Sequence, residues 1–168
     1  GTRMEKLPSP KLRAAEAICA VYPSLDADLL AAGVVLHDLG KIHEMASDAM
    51  GLVSEYTTEG LLLGHLVEGA AAVARAGEKL GTRKELVLML QHMLISHHDL
   101  PEYGSPRRPM FPEAEVLHIL DLLDARMFEM THALGQIAPG TFTDRIWSLD
   151  RKLYRRLEPD GGEGEGEM

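Results

Sequence analysis

The sequence is poor in cysteine, and this scarcity excludes an intramolecular disulfide, since Cys19 is the single cysteine among 168 residues. Cys19 lies in the apolar run 17–21, so we expect a buried thiol in a reducing compartment, with the cytoplasm as the default. The chain also lacks the apolar core of a signal peptide, and it lacks an uncharged run of about 18 residues that could span a membrane. These absences predict a soluble protein with no membrane partner.

Basic residues are also scarce, with 17 Lys and Arg against 26 Asp and Glu, which gives a formal net charge of −9. This balance argues against a broad basic surface for duplex nucleic acid, although a local basic groove stays open. The segment 158–168 carries five acids among glycines and is expected to be a disordered tail. We therefore expect an irregular segment over 1–10, one domain over 11–157, and the tail.

No alternating apolar and polar run is long enough to predict a strand, and apolar residues recur instead at spacings of three and four. This periodicity predicts an all-α fold with about six or seven helices. The helical segments are expected at 11–22, 26–37, 60–80, 83–97, 113–135 and 143–157, with uncertain boundaries. The helix over 83–97 is apolar nearly all round, as in a helix surrounded by others.

Two apolar helices end at polar pairs that could carry chemistry. The first ends at His37-Asp38, shortly before Gly40, a residue that commonly terminates helices. The second ends at His97-His98. A third helix places Asp121 and Asp124 on a largely apolar face. Buried carboxylates there would need a cation, a basic side chain or access to water.

Imidazole and carboxylate ligands suit divalent Mn, Fe, Co, Ni, Zn or Mg, and the chain has no thiolate cluster for a softer metal. The candidate metal ligands are His37, Asp38, His65, His97, His98 and Asp121. Asp38 could bridge two ions, with His37 and Asp121 completing one coordination shell and His65, His97 and His98 the other. Together the two ions would activate water and clamp the oxygens of a phosphoryl group. Lys41 could meet the developing phosphate charge. The pattern therefore predicts a metal-dependent phosphohydrolase with one or two ions, in which Asp38 and Lys41 take part in catalysis.

Each candidate also has a structural interpretation. His65 could be a core histidine, and His97-His98 could cap a helix C-terminus, where the helix dipole favours a cation. Asp124 could pair with Arg126 or Lys41, or it could order the site from outside the ligand shell, which we favour.

The loop 101–109 is rich in proline and glycine, so its simplest interpretation is a connecting loop. Because it directly follows the His97-His98 pair, Tyr103 could also stack on a base while Arg107 and Arg108 hold phosphate. The sequence leaves both interpretations open.

The run 37–41, His-Asp-Leu-Gly-Lys, followed by a distant Asp121, resembles the HD superfamily of metal-dependent phosphohydrolases. A longer series of segments is similar to the catalytic domain of YhaM-type 3′-to-5′ exoribonucleases. These segments are 22–26, 62–65, 94–98, 103–106, 113–115, 121–127 and 142–146. The resemblance covers about residues 11 to 157.

The resemblance implies an all-helical HD domain that removes nucleotides from the 3′ end of single-stranded RNA or DNA with a divalent ion, often manganese. It carries His37, Asp38 and Asp121 over as core ligands, with His65, His97 and His98 as additional histidines. The family has an upstream histidine where we align Lys6, and Lys6 is a poor ligand while protonated. The family also joins this domain to an OB-fold, for which we expect no room here.

Three functions follow as hypotheses. The first is an exoribonuclease-like phosphodiesterase of the HD type. The second is a phosphohydrolase of nucleotides or cyclic dinucleotides, and the third is an impaired domain that binds a nucleotide or a partner without turnover. The chain could be a fragment of a longer protein or a natural variant with a shifted metal shell. The sequence leaves homo-oligomer formation open.

Overall fold

A computed structural model describes residues 9–47 and 53–157. Within these ranges the chain forms five helices of ten or more residues, a one-turn helix and one pair of short strands. The elements are α1 (Pro10–Val21), α2 (Ala27–Leu36), α3 (Lys41–Glu44), β1 (Met45–Ser47), β2 (Val53–Tyr56), α4 (Thr58–Leu80), α5 (Lys84–Ser96) and α6 (Pro112–Gly135). Two 3-10 turns occur at Pro101–Tyr103 and Trp147–Leu149.

The predicted all-α class is confirmed, although the number of full helices is slightly lower than expected. The strand pair was not predicted. Its strands are antiparallel, with Met45 opposite Tyr56. Since the strands have only three and four residues, they are too short for an alternating pattern to reveal them.

Local signals fix where the first two helices begin. The Ser9 hydroxyl caps α1, and Pro10 occupies the first helical turn. Proline costs nothing there, because the N–H it lacks would have no hydrogen-bond partner within the helix. The Asp26 carboxylate caps α2 by accepting a hydrogen bond from the Leu29 N–H at 3.0 Å. These starts place Lys11 in the first turn of α1.

The chain divides into two compact units, and the first ends at Leu122 within α6. The core of this unit is built from α1, α2, α5 and the first half of α6. Its buried residues are Ala15, Leu29, Leu30, Val34, Met93, Ala114, Leu117 and Leu120. On α5, Met93 and Leu94 are fully buried, but Leu88 is 66% exposed. The predicted central helix is therefore buried mainly in its second half.

The second unit, from Leu123 onward, shows that the predicted helix over 143–157 is wrong. There the Thr143 N–H donates to the Leu153 carbonyl, and the Leu153 N–H donates to the Thr143 hydroxyl, both at 2.9 Å. Asp150 turns the chain with a φ of 54°. These bonds join two extended segments that run antiparallel. The Thr143 hydroxyl competes with helix formation here, because it accepts a hydrogen bond from a backbone N–H that would otherwise donate to a helical carbonyl.

Several expectations fall outside the described residues, namely Lys6, most of the segment 1–10, and the tail 158–168. In the described part of the chain, no helix combines the length and the apolar character that crossing a membrane requires.

Candidate metal centre

Asp38 lies at the centre of the candidate site, in the turn after α2. The last helical residue is Leu36, and the His37 N–H still donates to the Gly33 carbonyl at 2.9 Å. Adjacent residues in a continuing helix would point about 100° apart. Because the helix ends here, His37 Nε2 instead lies 3.3 Å from Asp38 Oδ2.

His97 and His98 follow the last residue of α5, where the sequence predicted a helix end. His97 is 1% exposed, and its Nδ1 lies 2.7 Å from the Leu94 carbonyl. His98 Nδ1 lies 2.8 Å from the Tyr103 carbonyl. Since a carbonyl only accepts, each Nδ1 carries the proton, which leaves the Nε2 lone pair available as a ligand.

His65 reaches the same place through a break in α4. Gly64 has a φ of 70° and a ψ of 163°, so the helix is interrupted directly before His65. The His65 backbone lies against Gly40, where a Cβ atom would overlap the His65 carbonyl. Glu44 Oε2 lies 3.2 Å from His65 Nδ1 and orients the ring.

These side chains converge on the Asp38 carboxylate. Asp38 Oδ1 lies 3.9 Å from His65 Nε2 and 3.9 Å from His97 Nε2. Lys41 Nζ is 3.0 Å from both carboxylate oxygens but donates its hydrogen bond to Oδ2. Within residues 9–47 and 53–157, the buried atoms Asp38 Oδ1, His65 Nε2 and His97 Nε2 have no hydrogen-bond partner.

These unsatisfied atoms fit a divalent cation. The ligand atoms of His65, His97 and His98 lie within 4.8 Å of one another, so one ion could contact all three. Buried polar atoms are rarely left without a partner, and imidazole nitrogen with carboxylate oxygen is a common ligand set for first-row divalent metals. We call these three histidines the histidine side of Asp38.

A lysine that the sequence analysis missed occupies the opposite side. Lys11 Nζ donates to Asp121 Oδ1 at 2.6 Å and lies 3.0 Å from His37 Nε2. His37 Nε2 is also 3.3 Å from Asp121 Oδ1. We call Lys11, His37 and Asp121 the lysine side. Here the carboxylate and the imidazole already contact an ammonium.

Paired charges set the pKa values on the lysine side. Burial lowers the pKa of His37, but the hydrogen bonds with Asp121 and Asp38 outweigh burial and raise the pKa to about 9. Burial raises the pKa of both carboxyls, but His37, together with Lys41 at Asp38 and Lys11 at Asp121, holds each pKa well below its usual range. Both carboxylates therefore stay ionised at neutral pH.

The histidine side has the opposite character. Burial, followed by the neighbouring His98, lowers the pKa of His97 to about 3. Burial also lowers the pKa of His65, although Glu44 acts against that shift. Both rings are therefore neutral at neutral pH, which is the form that binds a metal.

The remaining predicted residues lie around this centre or beyond it. Lys41 is half exposed beside Asp38. Tyr103 is exposed and contributes its carbonyl to His98, Arg107 is exposed, and Arg108 lies 3.5 Å from Asp99. The roles of these residues in substrate binding stay predictions.

Asp124 is exposed on α6 and belongs to the second unit, so the predicted buried acidic face is limited to Asp121. A role for Asp124 outside the ligand shell also stays a prediction.

Sequence reasoning missed Lys11 and Glu44. Lys11 lies 26 residues from His37 and 110 from Asp121 along the chain, so its contacts leave no local pattern. The unmet charge of Asp121 did signal that a cation or a basic side chain was needed. Glu44 has a weaker signal, as an acid shortly after the run 37–41.

Comparison with known proteins gives a consistent result. The sequence profile of the HD domain matches residues 12–126. The 3′-5′ exoribonuclease YhaM of Bacillus licheniformis is 46% identical over 143 residues, which cover 85% of this chain and 45% of that protein. The YhaM proteins of Bacillus subtilis and of a Geobacillus species are also 46% identical over 143 residues, which cover 45% and 43% of them.

This chain therefore spans less than half the length of these relatives. No solved structure matches it significantly. Since the HD profile covers more than half of the chain and includes Asp38 and Asp121, the chain belongs to the HD domain family.

Proposed function

We propose that this chain is a divalent-metal-dependent phosphodiesterase of the HD type that acts on the 3′ end of single-stranded nucleic acid, preferably RNA. The names of the exoribonuclease relatives support the substrate class. Membership in the HD domain family supports the hydrolase chemistry. The candidate metal ligands come from the set His37, Asp38, His65, His97, His98 and Asp121.

One observation carries the proposal. The buried atoms Asp38 Oδ1, His65 Nε2 and His97 Nε2 face one another without hydrogen-bond partners among the described residues. Leaving such atoms unpaired is costly in a protein interior, and a bound cation would satisfy all of them together. A purely structural role for these histidines would leave the cost uncompensated.

A divalent ion bound there would polarise phosphoryl oxygens and activate water for an in-line displacement. The residues of the chain prepare the site for this chemistry. Asp38 stays anionic, while the neutral imidazole of His97 remains a ligand at any physiological pH. Lys41, half exposed beside Asp38, can neutralise charge on a phosphate that approaches from solvent.

The substrate would extend past the loop that follows α5. Tyr103 is 70% exposed and can stack on a base, and its carbonyl already contacts His98. Arg107 and Arg108 lie in the same loop and can contact phosphates. Manganese is the ion that we propose first, and the cytoplasm is the compartment, since an RNA substrate and one unpaired cysteine both suit it.

Hydrolysis of a 5′-labelled single-stranded RNA tests the function. With Mn we expect a ladder of shortening products, which a chelator abolishes. Asp38→Asn should remove this activity, whereas the matched control Asp28→Asn, at an exposed position in the first turn of α2, should retain it. A protein that binds no Mn, Ni, Co or Zn and cleaves no phosphodiester would contradict the proposal.

A second candidate is a domain that binds nucleotides without turnover. The Lys11 contacts favour it, because an ammonium already occupies two of the predicted ligands. Tight nucleotide binding without a product ladder would support this candidate. Release of phosphate from mononucleotides or cyclic dinucleotides, with RNA left intact, would instead indicate a nucleotide phosphohydrolase.

A further inference from the structure

The two sides of Asp38 differ in what already satisfies them. On the lysine side, the Asp121 carboxylate and the His37 imidazole both contact the Lys11 ammonium, at 2.6 and 3.0 Å. On the histidine side, Nε2 of His65 and Nε2 of His97 lack a partner among the described residues. One Asp38 oxygen belongs to each side, since Oδ2 faces His37 and Oδ1 faces His65 and His97.

We propose that the Lys11 ammonium takes the place of a second metal ion in this chain. A single divalent ion then binds to Asp38, His65, His97 and His98, while Asp121 holds Lys11 beside His37. This inference rests on the proposed function, because it requires that the histidine side binds a metal.

Charge and contact geometry both support this division. A lysine ammonium is a compact cation with three donors, and here it donates to the Asp121 carboxylate at 2.6 Å and lies beside the His37 ring. A divalent ion on the same two residues would be repelled by the ammonium. The ion would also have to displace it from its ion pair with Asp121.

Lys11 is held in place by the fold. Its side chain is only 13% exposed, and α1 packs against the core through Ala15, one turn further along the helix. Swinging the ammonium away would leave the Asp121 carboxylate, which is 25% exposed, without its nearest cation. The lysine side is therefore a complete ion pair, whereas the histidine side is a ligand set.

Counting metal ions in the purified chain tests the proposal. We expect Mn-loaded wild-type protein to contain one ion per chain by elemental analysis, with the paramagnetic resonance signal of an isolated Mn(II). Because His37 is not a ligand of this ion, the His37→Gln variant should also retain one ion. Two ions in the wild type, or loss of the ion in His37→Gln, would overturn the proposal.

Removing the ammonium provides the second test. Lys11→Met should open the lysine side, so that a second, weaker ion binds and the resonance signal broadens through coupling between neighbouring ions. The matched control Lys41→Met removes a positive charge beside the same Asp38 and should still bind one ion. A single ion in a folded Lys11→Met variant would overturn the proposal. If that variant does not fold, the wild-type and His37→Gln counts decide the question.

These outcomes separate the inference from the function on which it rests. A wild-type chain that binds no metal contradicts the proposed function. A wild-type chain that binds two ions and cleaves RNA contradicts only the assignment of Lys11.

Discussion

The lysine side and the histidine side of Asp38 are built from similar residues but reach opposite electrostatic states. On the lysine side, the anion Asp121 and the imidazole of His37 contact an ammonium. On the histidine side, the neutral imidazoles of His65 and His97 have an Nε2 without a hydrogen-bond partner among the described residues, and they face an Asp38 oxygen that lies 3.0 Å from Lys41 Nζ. A histidine and an aspartate that lie close together therefore do not by themselves mark a metal site. Buried ligand atoms without a partner are the stronger sign.

The largest effect should follow from His97→Gln, which would break the histidine side. His97 is almost fully buried, and its Nε2 lies 3.9 Å from Asp38 Oδ1, so the substitution removes a ligand at the centre of the histidine side. Substitutions of residues that hydrogen-bond to metal ligands typically lower metal affinity by about 10–100-fold, and we expect the loss of a ligand to lower Mn affinity by more than that. Titration calorimetry measures this fall, with circular dichroism as the check on folding. Unchanged affinity would show that the ion binds elsewhere.

The next largest effect should follow from Glu44→Gln. The Glu44 carboxylate lies 3.2 Å from His65 Nδ1, and such partners orient a metal-binding histidine and increase its basicity. We expect Mn affinity to fall by about 10–100-fold with the fold intact. The control Glu78→Gln, exposed near the end of α4, should have no effect. Equal affinities in the two variants would mean that Glu44 does not position His65.

Gly40→Ala should disturb the histidine side through packing. The new Cβ atom would overlap the His65 backbone carbonyl, which cannot move as a flexible side chain can. We expect a loss of about 1–3 kcal/mol in the free energy of unfolding, together with weaker Mn binding. Gly135→Ala is the control, since its Cβ meets nothing within 4 Å. Urea denaturation of both variants tests this, and a Gly40→Ala variant as stable as the control would refute it.

The pH dependence of the metal-free chain should also separate the two sides, because their contributions to stability have opposite signs. The folded pKa of His97 is about 3, below its ordinary 6.5, so its contribution to stability is present above pH 6.5 and is lost toward pH 3. The folded pKa of His37 is about 9, so its contribution is present below pH 6.5 and is lost as the pH rises through 9.

Urea denaturation at a series of pH values measures how the free energy of unfolding falls on the acidic side and on the alkaline side of neutral pH. We call these two parts of the curve the acidic limb and the alkaline limb. Each group can contribute a slope of at most about 1.4 kcal/mol per pH unit. His97→Gln should flatten the acidic limb between about pH 6.5 and 4.5, above the range where carboxyls titrate, and His65 adds to the same limb. His37→Gln should flatten the alkaline limb. Parallel curves for wild type and variants would contradict the assigned shifts.

The parts of the fold that could be predicted are those encoded locally. Apolar periodicity indicated α2 and α5, and both helices end where His37 and His97 begin. The helix expected over 143–157 failed because Thr143 pairs with Leu153, ten residues away, and a helical pattern does not reveal such a pairing.

The candidate site could be predicted in its composition and in its two groups of ligands around Asp38, but not in the lysine that contacts one of these groups. The histidines and Asp38 were identifiable because their residue types and positions at helix ends suit a metal. The contact between Lys11 and Asp121 depends on how α1 packs against the rest of the first unit, and it joins residues 110 positions apart. The sequence therefore does not reveal that a lysine contacts Asp121 and His37, and only the folded structure does.

Anomalous diffraction from crystals of the Mn-loaded chain would locate the metal relative to Lys11. We predict one anomalous peak, in contact with Asp38, His65, His97 and His98, with the Lys11 ammonium still bound to Asp121. A peak in contact with His37 and Asp121, with Lys11 displaced, would contradict the assignment of Lys11 as the second cation.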